Sequence, residues 1–332
     1  MKSSLVAVSG AEGLAPLRAE WDHLLSRTPA DTIFLTWDWQ DLWWRVLAQP
    51  SGAEAHALAC YSGGDLVGVA PLLREGSTYH LAGGEEIADF LDVVALPGQE
   101  AAVAGAVLGY LAERSWDLFE LRNLRQTAFS LTHLAPEARR RGLAVEVEQE
   151  DVSPSLRLPG DWDAYLESLS KKDRHELRRK LRRLHSAGQV RWYQAADPAR
   201  VPADVDDFIR FHRLSAEAKA TFMTPEMEGW FLALVEHFQP KGLLRLYFLE
   251  LDGVRLASAI CFDYRSQILL YNSGYDPEYA RLSVGLALKA YCIQDAIAAN
   301  REVFDFLQGS EPYKYDLGGV DAPIYRMRIR RA

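Results

Sequence analysis

The sequence predicts an α/β protein built from two similar domains in tandem, each a mixed, mostly antiparallel sheet flanked by helices. Three observations lead to this fold class. The 332 residues exceed one ordinary domain, since domains average about 100–200 residues. Hydrophobic residues make up 48% of the chain and charged residues 25%, which is the balance of a globular protein. The order of strand-like and helix-like segments in the first half recurs in the second half.

The repeated unit is a hairpin, a third strand, a helix and a further strand. In the first half these segments cover 56–61, 66–73, 79–82, 101–114 and 116–121. In the second half they cover 244–251, 254–264, 268–272, 284–299 and 303–307. The hairpin turns are Gly63-Gly64-Asp65 and Asp252-Gly253. Asp65 and Gly253 are 188 residues apart, and so are Asp117 and Asp305. One spacing at two equivalent positions favours a duplicated domain over coincidental hairpins.

The boundary between the two domains is marked by turn residues. Ser153-Pro154 and Pro159-Gly160 lie in the acidic segment 148–161, which predicts a loop. We place the N-terminal domain at 1–152 and the C-terminal domain at 153–332. At the end of the chain, Met327 and Ile329 alternate with arginines, a pattern typical of a last edge strand.

Charge and cysteine content exclude several classes of protein. The net charge of −9 argues against a surface devoted to nucleic acid. Cys60, Cys261 and Cys292 are far apart in the sequence, and each lies in an apolar run. We therefore predict that they are reduced thiols in the core. Clustered Cys and His ligands are missing, so no metal is expected. The sequence shows neither a signal-peptide layout nor about 18 consecutive apolar residues, which predicts a cytoplasmic protein without a membrane partner.

An aromatic segment at 37–44 predicts a helix that begins after Thr36, a good capping residue. Trp37, Trp44 and Leu47 would form its core-facing stripe. The alternative is an aromatic box that stacks on a ligand.

The most charged stretch, 170–185, predicts a basic amphipathic helix capped by Ser170 and stopped near Gly188. One face carries Leu177, Leu181 and Leu184, and the other faces carry eight Lys or Arg residues. Three interpretations are open: a packed helix with solvated charges, a helix that faces the phosphates of a ligand, or a helix that binds nucleic acid.

The segment 271–287 has the features of an anion site. A strand ends at Asn272, and a helix begins around Ser283 to Gly285. The free N–H groups and the dipole at a helix start attract anions. Gly285 would admit a phosphate, and Arg281 would add a charged contact. An ordinary capped helix would look much the same. Neither a P-loop nor a dinucleotide-binding glycine motif is present.

A second polar cluster follows the strand at 303–307. Asp305 interrupts this apolar strand, and Gln308, Tyr313 and Lys314 follow closely. Strand ends in α/β sheets are common ligand sites. The alternative is that Asp305 only bonds to neighbouring backbone.

These motifs resemble the GNAT acyltransferase superfamily, specifically the CelD-type acetyltransferases of cellulose biosynthesis, which are related to the FemABX peptidyl transferases. The resembling stretches are 208–222, 273–279, 283–285 and 305–314, with 37–44 and 89–92 in the first half. The resemblance covers nearly the whole chain, and it implies two tandem GNAT-like domains.

The resemblance also implies an acyl-CoA site in the C-terminal domain. Its phosphate loop would use Arg281 and the backbone of Ser283, Val284, Gly285, Leu286 and Ala287, although Gly285 falls one residue later than in the usual motif. Asn272, Ser273 and Gly274 would contact the acyl group. The equivalent N-terminal loop, 96–100, carries Glu100 where a phosphate would lie, so no cofactor is expected there.

The implied reaction is transfer of an acyl group, most simply acetyl, from coenzyme A to a primary amine by direct attack on the thioester. Asp305 is the candidate base, and Tyr313 or Tyr275 the candidate acid. Lys314 would hold an anionic substrate group or order its loop. His212, Lys219 and Gln308 would line the acceptor pocket.

Two other functions stay open from the sequence. A Fem-like enzyme would use aminoacyl-tRNA as the donor, which the basic helix favours and the net charge disfavours. A catalytically degenerate pair of domains would act as a binding module. The acceptor would be a small amine, an amino sugar or a peptide, and the tandem duplication favours a monomer or a weak homodimer.

Overall fold

The computed structural model describes residues 3–9 and 13–331. The described chain forms two compact units. The first contains the residues up to Asp151 and those from Ala322 onward, and the second spans Val152–Asp321.

The first unit is a mixed sheet with helices packed on it. Its strands are β1 (Ser3–Ser9), β2 (Glu54–Ser62), β3 (Asp65–Glu75), β4 (Thr78–Leu81), β5 (Val94–Ala95), β6 (Leu118–Arg125) and the first part of β7 (Ala144–Arg157). Its helices are α1 (Arg18–Leu25), α2 (Trp37–Trp43), α3 (Glu100–Ala112) and α4 (Ala135–Arg140). Single helical turns cover Ala15–Leu17, Ile33–Leu35, Trp44–Ala48 and Ser130–Leu134.

The second unit contains the remaining elements. Its helices are α5 (Trp162–Ser168), α6 (Lys171–His185), α7 (Val201–Ser215), α8 (Glu217–Phe222), α9 (Pro225–Phe238), α10 (Val284–Ala298) and α11 (Pro312–Asp316). Its strands are β8 (Val190–Gln194), β9 (Leu244–Leu251), β10 (Val254–Tyr264), β11 (Gln267–Tyr275) and β12 (Val303–Asp305). Strand β13 (Val320–Arg330) starts here and continues in the first unit. Short helical turns cover Pro198–Arg200 and Pro277–Leu282.

Strand pairing confirms the predicted fold class and shows the duplication directly. In the first unit the strand order is β1-β2-β3-β4-β6-β13-β7, with β5 on β3. In the second it is β7-β12-β11-β10-β9-β8. Both units contain an antiparallel hairpin (β2–β3, β9–β10), a third antiparallel strand (β4, β11), a helix (α3, α10) and a strand parallel to the third (β6, β12). The two sequence halves therefore fold by the same plan.

The expectation of a last edge strand is wrong. Strand β13 lies between β6 and β7, and it pairs antiparallel with β6 from Ile324 to Arg330. The alternating pattern is real, since Met327 and Ile329 are buried. The arginines between them bond to carboxylates on neighbouring strands, Arg328 to Glu120 and Arg326 to Glu148. Alternation shows that one face is buried but not whether a strand has one neighbour or two.

Helix α2 is built as the sequence predicted. The Thr36 hydroxyl accepts a hydrogen bond from the Trp39 amide, at 3.3 Å. Trp37 and Trp44 are buried, and Leu47 is half-buried. The indole of Trp39 is fully buried, and it donates to the Gly83 carbonyl at 2.9 Å. These contacts support the interpretation of α2 as a core helix.

Helices cover both faces of the second unit's sheet. On one face, α10 packs beside the basic helix α6, whose Leu177 and Leu184 lie in the same apolar core as Leu288 and Ile293 of α10. On the other face, Phe208 of α7 packs on Phe231 of α9 at 5.0 Å between ring centroids. The Ser170 hydroxyl caps α6, as predicted, by accepting from the Asp173 amide. Strand β11, between these two layers, carries the candidate site.

Candidate acyl-transfer site

A β-bulge in β11 sets the direction of the side chains that follow it. The register against β10 shifts between Ile260 and Cys261, which leaves Tyr271 as an extra residue in β11. Before the bulge, Leu270 faces the core beneath α10. Tyr271 instead packs on the Phe231 ring of α9, at 6.1 Å between centroids. The bulge therefore resets the alternation of faces just where the predicted site begins.

Helix α7 lies directly against β11 at Gly274. A Cβ atom at this position would be 2.3 Å from the main-chain nitrogen of His212 and 2.3 Å from the carbonyl carbon of Phe211. Only glycine permits this approach of backbone to backbone. Gly274 thereby brings His212 of α7 to the strand, and Lys219 of the following helix α8 contacts Ser273, so two of the three predicted acceptor residues lie beside the predicted acyl-contacting residues.

His212 is buried, with 1% of its surface exposed. Its imidazole is surrounded by Phe208, Phe222 and Phe231, and it hydrogen bonds to the Asn272 side chain. Burial, with a smaller contribution from the charge of Lys219, lowers the pKa of His212 to about 4. Its Nδ1 atom is buried and has no hydrogen-bond partner among the described residues. The ring is therefore neutral near pH 7.

Acid should destabilise the protein through His212. The unfolded chain binds a proton near the ordinary histidine pKa, whereas the folded chain resists protonation until about pH 4. The free energy of unfolding should therefore fall as the pH falls from about 6.5 to about 4, by ~3 kcal/mol in total. Urea unfolding between pH 4 and 7 checks this value. His212→Gln lacks the proton uptake, so its curve should be flatter, and parallel curves for the two proteins would contradict the assignment.

Ser273 lies at the free edge of β11, and its main-chain groups bond to side chains. Lys219 Nζ donates to the Ser273 carbonyl at 2.5 Å. Asn272 Oδ1 accepts from the Ser273 amide at 3.0 Å. Strand β12 pairs with β11 only from Gln267 to Leu269. Beyond Leu269 the edge of β11 is thus open to side chains or to a ligand.

The start of α10 has the properties of an anion site. Ser283 has a left-handed backbone, with φ of 57°, and its side chain does not cap the helix. The first-turn amides of Val284, Gly285 and Leu286 point out of the helix end, and the first bond within α10 runs from the Ala287 amide to the Ser283 carbonyl.

Two further residues shape this helix start. Arg183 of α6 donates from Nη2 to the Ser283 hydroxyl at 2.9 Å, and its Nε is buried without a partner among the described residues. A Cβ atom at Gly285 would meet the Tyr275 ring at 2.9 Å, so glycine lets this ring lie against the first turn. Arg281, predicted to contact phosphate, is exposed on the turn before the helix.

Lys289 is a buried lysine in α10, about one turn beyond the start of the helix. It is 7% exposed, and its Nζ donates to the Gly285 carbonyl at 3.3 Å and lies 4.6 Å from the centroid of the Tyr313 ring. Burial, with the charge of Lys219, lowers the pKa of Lys289 to about 8. Burial also lowers the pKa of Lys219. The sites of these two lysines are therefore electrostatically coupled.

Lys314 orders the loop that follows β12. Its Nζ, 2% exposed as a side chain, donates to the carbonyls of Leu307, Gln308 and Gly309 at 2.9, 2.5 and 3.0 Å, and it pairs with Glu311 at 3.0 Å. Of the two roles considered for Lys314, these contacts support the ordering of its loop. Gln308 enters this arrangement through its main-chain carbonyl.

Asp305 ends β12 and holds the same loop from the other side. Its Oδ1 accepts from the Leu307 amide at 2.8 Å and from the Ser153 hydroxyl at 3.1 Å. The bond from the Leu307 amide is the backbone contact considered as the alternative for Asp305, and the role of Asp305 as a base stays a prediction. Tyr313 packs between the Phe306 ring and Lys289, and burial raises the pKa of its hydroxyl. Tyr313 therefore keeps its proton at neutral pH.

Three residues near the site were not singled out from the sequence: Arg183, Lys289 and Glu311. Arg183 is one of eight cations in α6, and nothing in the sequence distinguishes it. Glu311 acts only through the fold of its loop. Lys289 had a signal, because it is the only Lys or Arg in the apolar sequence of α10.

The first unit differs at the equivalent helix start. The Glu100 carboxylate accepts a hydrogen bond from the Gly98 amide at 2.8 Å, at the beginning of α3. A cavity of about 100 Å³ lies beside it, lined among others by Phe90, Arg125 and His133. The acidic group makes this helix start less suited to a phosphate, and the absence of a cofactor in this unit stays a prediction.

Within residues 3–9 and 13–331, no group of three or more His, Cys, Asp or Glu side chains is arranged to hold a metal ion. Over the same part of the chain, no helix has the length and apolar character needed to cross a membrane.

The second unit thus combines the open edge of β11, an uncapped start of α10, and lysine and tyrosine side chains close to both. The family model described as an acetyltransferase (GNAT) domain matches residues 171–315, which include all these elements. The match places a GNAT acyltransferase domain in the second unit of the chain.

Solved structures support the same fold over both units. FemX superposes with a TM-score of 0.64 at 10% identity, over 98% of this chain and 97% of that one. The C-terminal domain of a putative lysylphosphatidylglycerol synthetase from Agrobacterium fabrum gives 0.61 at 12% identity, over 96% and 92%. A tandem GNAT protein from the clavulanic acid biosynthesis pathway gives 0.53 at 12% identity, over 98% of each chain. A search of curated proteins gave no match.

Proposed function

We propose that the chain transfers an acyl group from an acyl-CoA, most simply acetyl-CoA, to a primary amine. The observation that carries this proposal is the start of α10, where first-turn amides lack a side-chain cap and Arg183 reaches the Ser283 hydroxyl. Amides at the positive end of a helix and a nearby guanidinium are suited to a pyrophosphate. The buried Nε of Arg183, which lacks a partner among the described residues, fits an anionic ligand at the same place.

Acyl-CoA would supply the activated thioester and a thiolate that leaves. The open edge of β11 beyond Leu269 would accept its extended arm, and the backbone of 283–287 would hold its phosphates. The Ser273 amide is bonded to Asn272 Oδ1, so donation to an acyl oxygen from this amide requires the Asn272 side chain to turn.

We assign the two proton transfers of the reaction to tyrosine and aspartate side chains of the second unit. Tyr313 holds its proton because it is buried, and it would donate that proton to the departing sulfur. The amine must lose a proton to attack, and Asp305 is the proposed acceptor, with Tyr275 as the alternative acid. Lys314 contributes by holding the loop that carries Tyr313.

The basic helix favours a second candidate, a Fem-like transferase that uses aminoacyl-tRNA. Lys171, Arg178 and Arg182 are exposed on one flank of α6, and Arg174 lies partly exposed beside them. This row of cations is about 16 Å long, which would suit a polyanion. The similarity to FemX shows the fold, and it does not decide the donor. The resemblance to CelD-type enzymes likewise stays a prediction.

Arg183 separates the two donors. If acyl-CoA binds at α10, Arg183→Ala should raise the KM for acetyl-CoA by about 10- to 100-fold, because a charge-assisted phosphate contact is lost. The matched control is Arg178→Ala, on the opposite flank of the same helix, which should leave that KM unchanged. A KM unaffected by Arg183→Ala, together with weaker tRNA retention by Arg178→Ala at moderate salt, would favour the Fem-like reaction instead.

A further inference from the structure

The candidate site contains two lysine charges that no carboxylate compensates directly, one on the buried Lys289 and one on the half-buried Lys219. Lys219 and Lys289 each bond to one main-chain carbonyl, of Ser273 and Gly285 respectively. Neither forms an ion pair with a carboxylate among the residues that the structure describes. A lysine ammonium group has three donors and seldom lies buried without an anion. Each of these two ammonium groups therefore has N–H donors left over for a ligand.

The carboxylate of Glu311 does not compensate these two charges by direct contact. Glu311 belongs to the loop that carries Tyr313, and its side chain is 56% exposed. It pairs directly with Lys314, at 3.0 Å. Its charge acts on Lys219 and Lys289 only through space, without a direct contact. Three lysines thus share one solvent-exposed carboxylate.

The two unpaired ammonium groups lie where the acceptor would bind. Lys219 is at the open edge of β11, beside Ser273, and Lys289 lies against the ring of Tyr313, the proposed acid. The charge of Lys219 also contributes to the lowered pKa of Lys289. Burying like charges together is costly. A ligand with an anionic group would compensate both charges.

We propose that the acyl acceptor is an amine that also carries a carboxylate, and that Lys219 and Lys289 bind this carboxylate. The inference rests on the proposed function, since it assigns a substrate class to the same site. An amino acid, a peptide with a free carboxyl group near its amine, or an acidic amino sugar has this chemistry. Placing the carboxylate between the two lysines leaves the amine free to face the acyl group at the edge of β11.

The test compares acceptors in matched pairs. Each pair is an α-amino acid and its amide, assayed with acetyl-CoA by release of free thiol. The wild-type protein should favour the acid over the amide by roughly 10- to 100-fold in kcat/KM, the value of a charged hydrogen bond in a buried site. Equal use of acid and amide would overturn the inference and leave the proposed function intact. If neither the acid, the amide nor any other amine led to thiol release, both the inference and the proposed function would be overturned.

The variant Lys289→Met distinguishes a role of Lys289 in binding the acceptor carboxylate from a role in the stability of the fold. Methionine fits an apolar layer, and it removes a buried charge that has no anion, so the melting temperature should rise. The ratio of kcat/KM between acid and amide should nevertheless fall towards one. Lys241→Met, which removes an exposed lysine of the same unit, should change neither property. A rise in the KM for acetyl-CoA with an unchanged ratio would assign Lys289 to the donor's phosphates and overturn the inference.

Discussion

Replacing Lys314 with methionine should abolish acyl transfer and destabilise the second unit by about 3–5 kcal/mol, because three carbonyls lose a charged hydrogen-bond donor. The lysine holds three consecutive carbonyls, of Leu307, Gln308 and Gly309, together with Glu311. Leu307 adopts a left-handed backbone with φ of 58°, a conformation that costs a branched residue about 1–3 kcal/mol. Without the ammonium group fewer contacts would offset that strain, and Tyr313 would lose its position.

The effect of Lys314 can be measured by urea unfolding and by initial rates on the same preparations. Lys314→Arg should be intermediate, because a planar guanidinium cannot direct its donors to three carbonyls that converge on one point. Lys172→Met, at an exposed position of α6, should stay within ~0.5 kcal/mol of the wild type. Wild-type stability in Lys314→Met would show that the loop holds its shape without the ammonium group.

Replacing Gly274 with alanine should have the second large effect. The new Cβ would lie 2.3 Å from main-chain atoms of α7, and main chain cannot yield as a flexible side chain does. Helix α7 would have to move by about 1 Å to reach ordinary contact distance. We expect a loss of about 3 kcal/mol, at the upper end of what overpacking costs. Transfer should also slow sharply, because the same movement separates His212 from Asn272 and Lys219 from Ser273.

Gly229 offers a matched control for this substitution. It lies in α9, and a Cβ atom there would meet nothing within 4 Å. Gly229→Ala should therefore stabilise the protein by about 0.5–1 kcal/mol through helix propensity alone. Thermal and urea unfolding of both variants show whether the loss of stability comes from the close packing of α7 on Gly274 or from any replacement of glycine by alanine. Equal small effects at the two positions would mean that α7 does not rest on Gly274.

The sequence was informative where a local pattern determines the structure. Period-two runs with glycine turns predicted both hairpins, and the leucine stripe with Ser170 predicted α6 together with its cap. These signals depend on residues close in the chain, so they survive without knowledge of tertiary contacts.

Other features depend on distant parts of the chain and were not predictable in this way. The bulge at Tyr271 arises from the register of β11 against β10, and it decides which side chains face α7. The neighbours of β13 come from strands far away in sequence. The loop contacts of Lys314 and Asp305 depend on the fold after β12. Lys289 shows the limit most clearly, since its position in an apolar helix was visible but its unpaired charge was not.

The central claim is that the chain uses an acyl-CoA to acylate an amine, and product analysis tests it most directly. The purified protein would be incubated with acetyl-CoA and a mixture of amino acids, and thiol release and acetylated products would be followed together by mass spectrometry. The account predicts one acetylated amine for each thiol released, and loss of both in Lys314→Met. Acyl transfer from aminoacyl-tRNA, with no thiol release from any acyl-CoA, would contradict it.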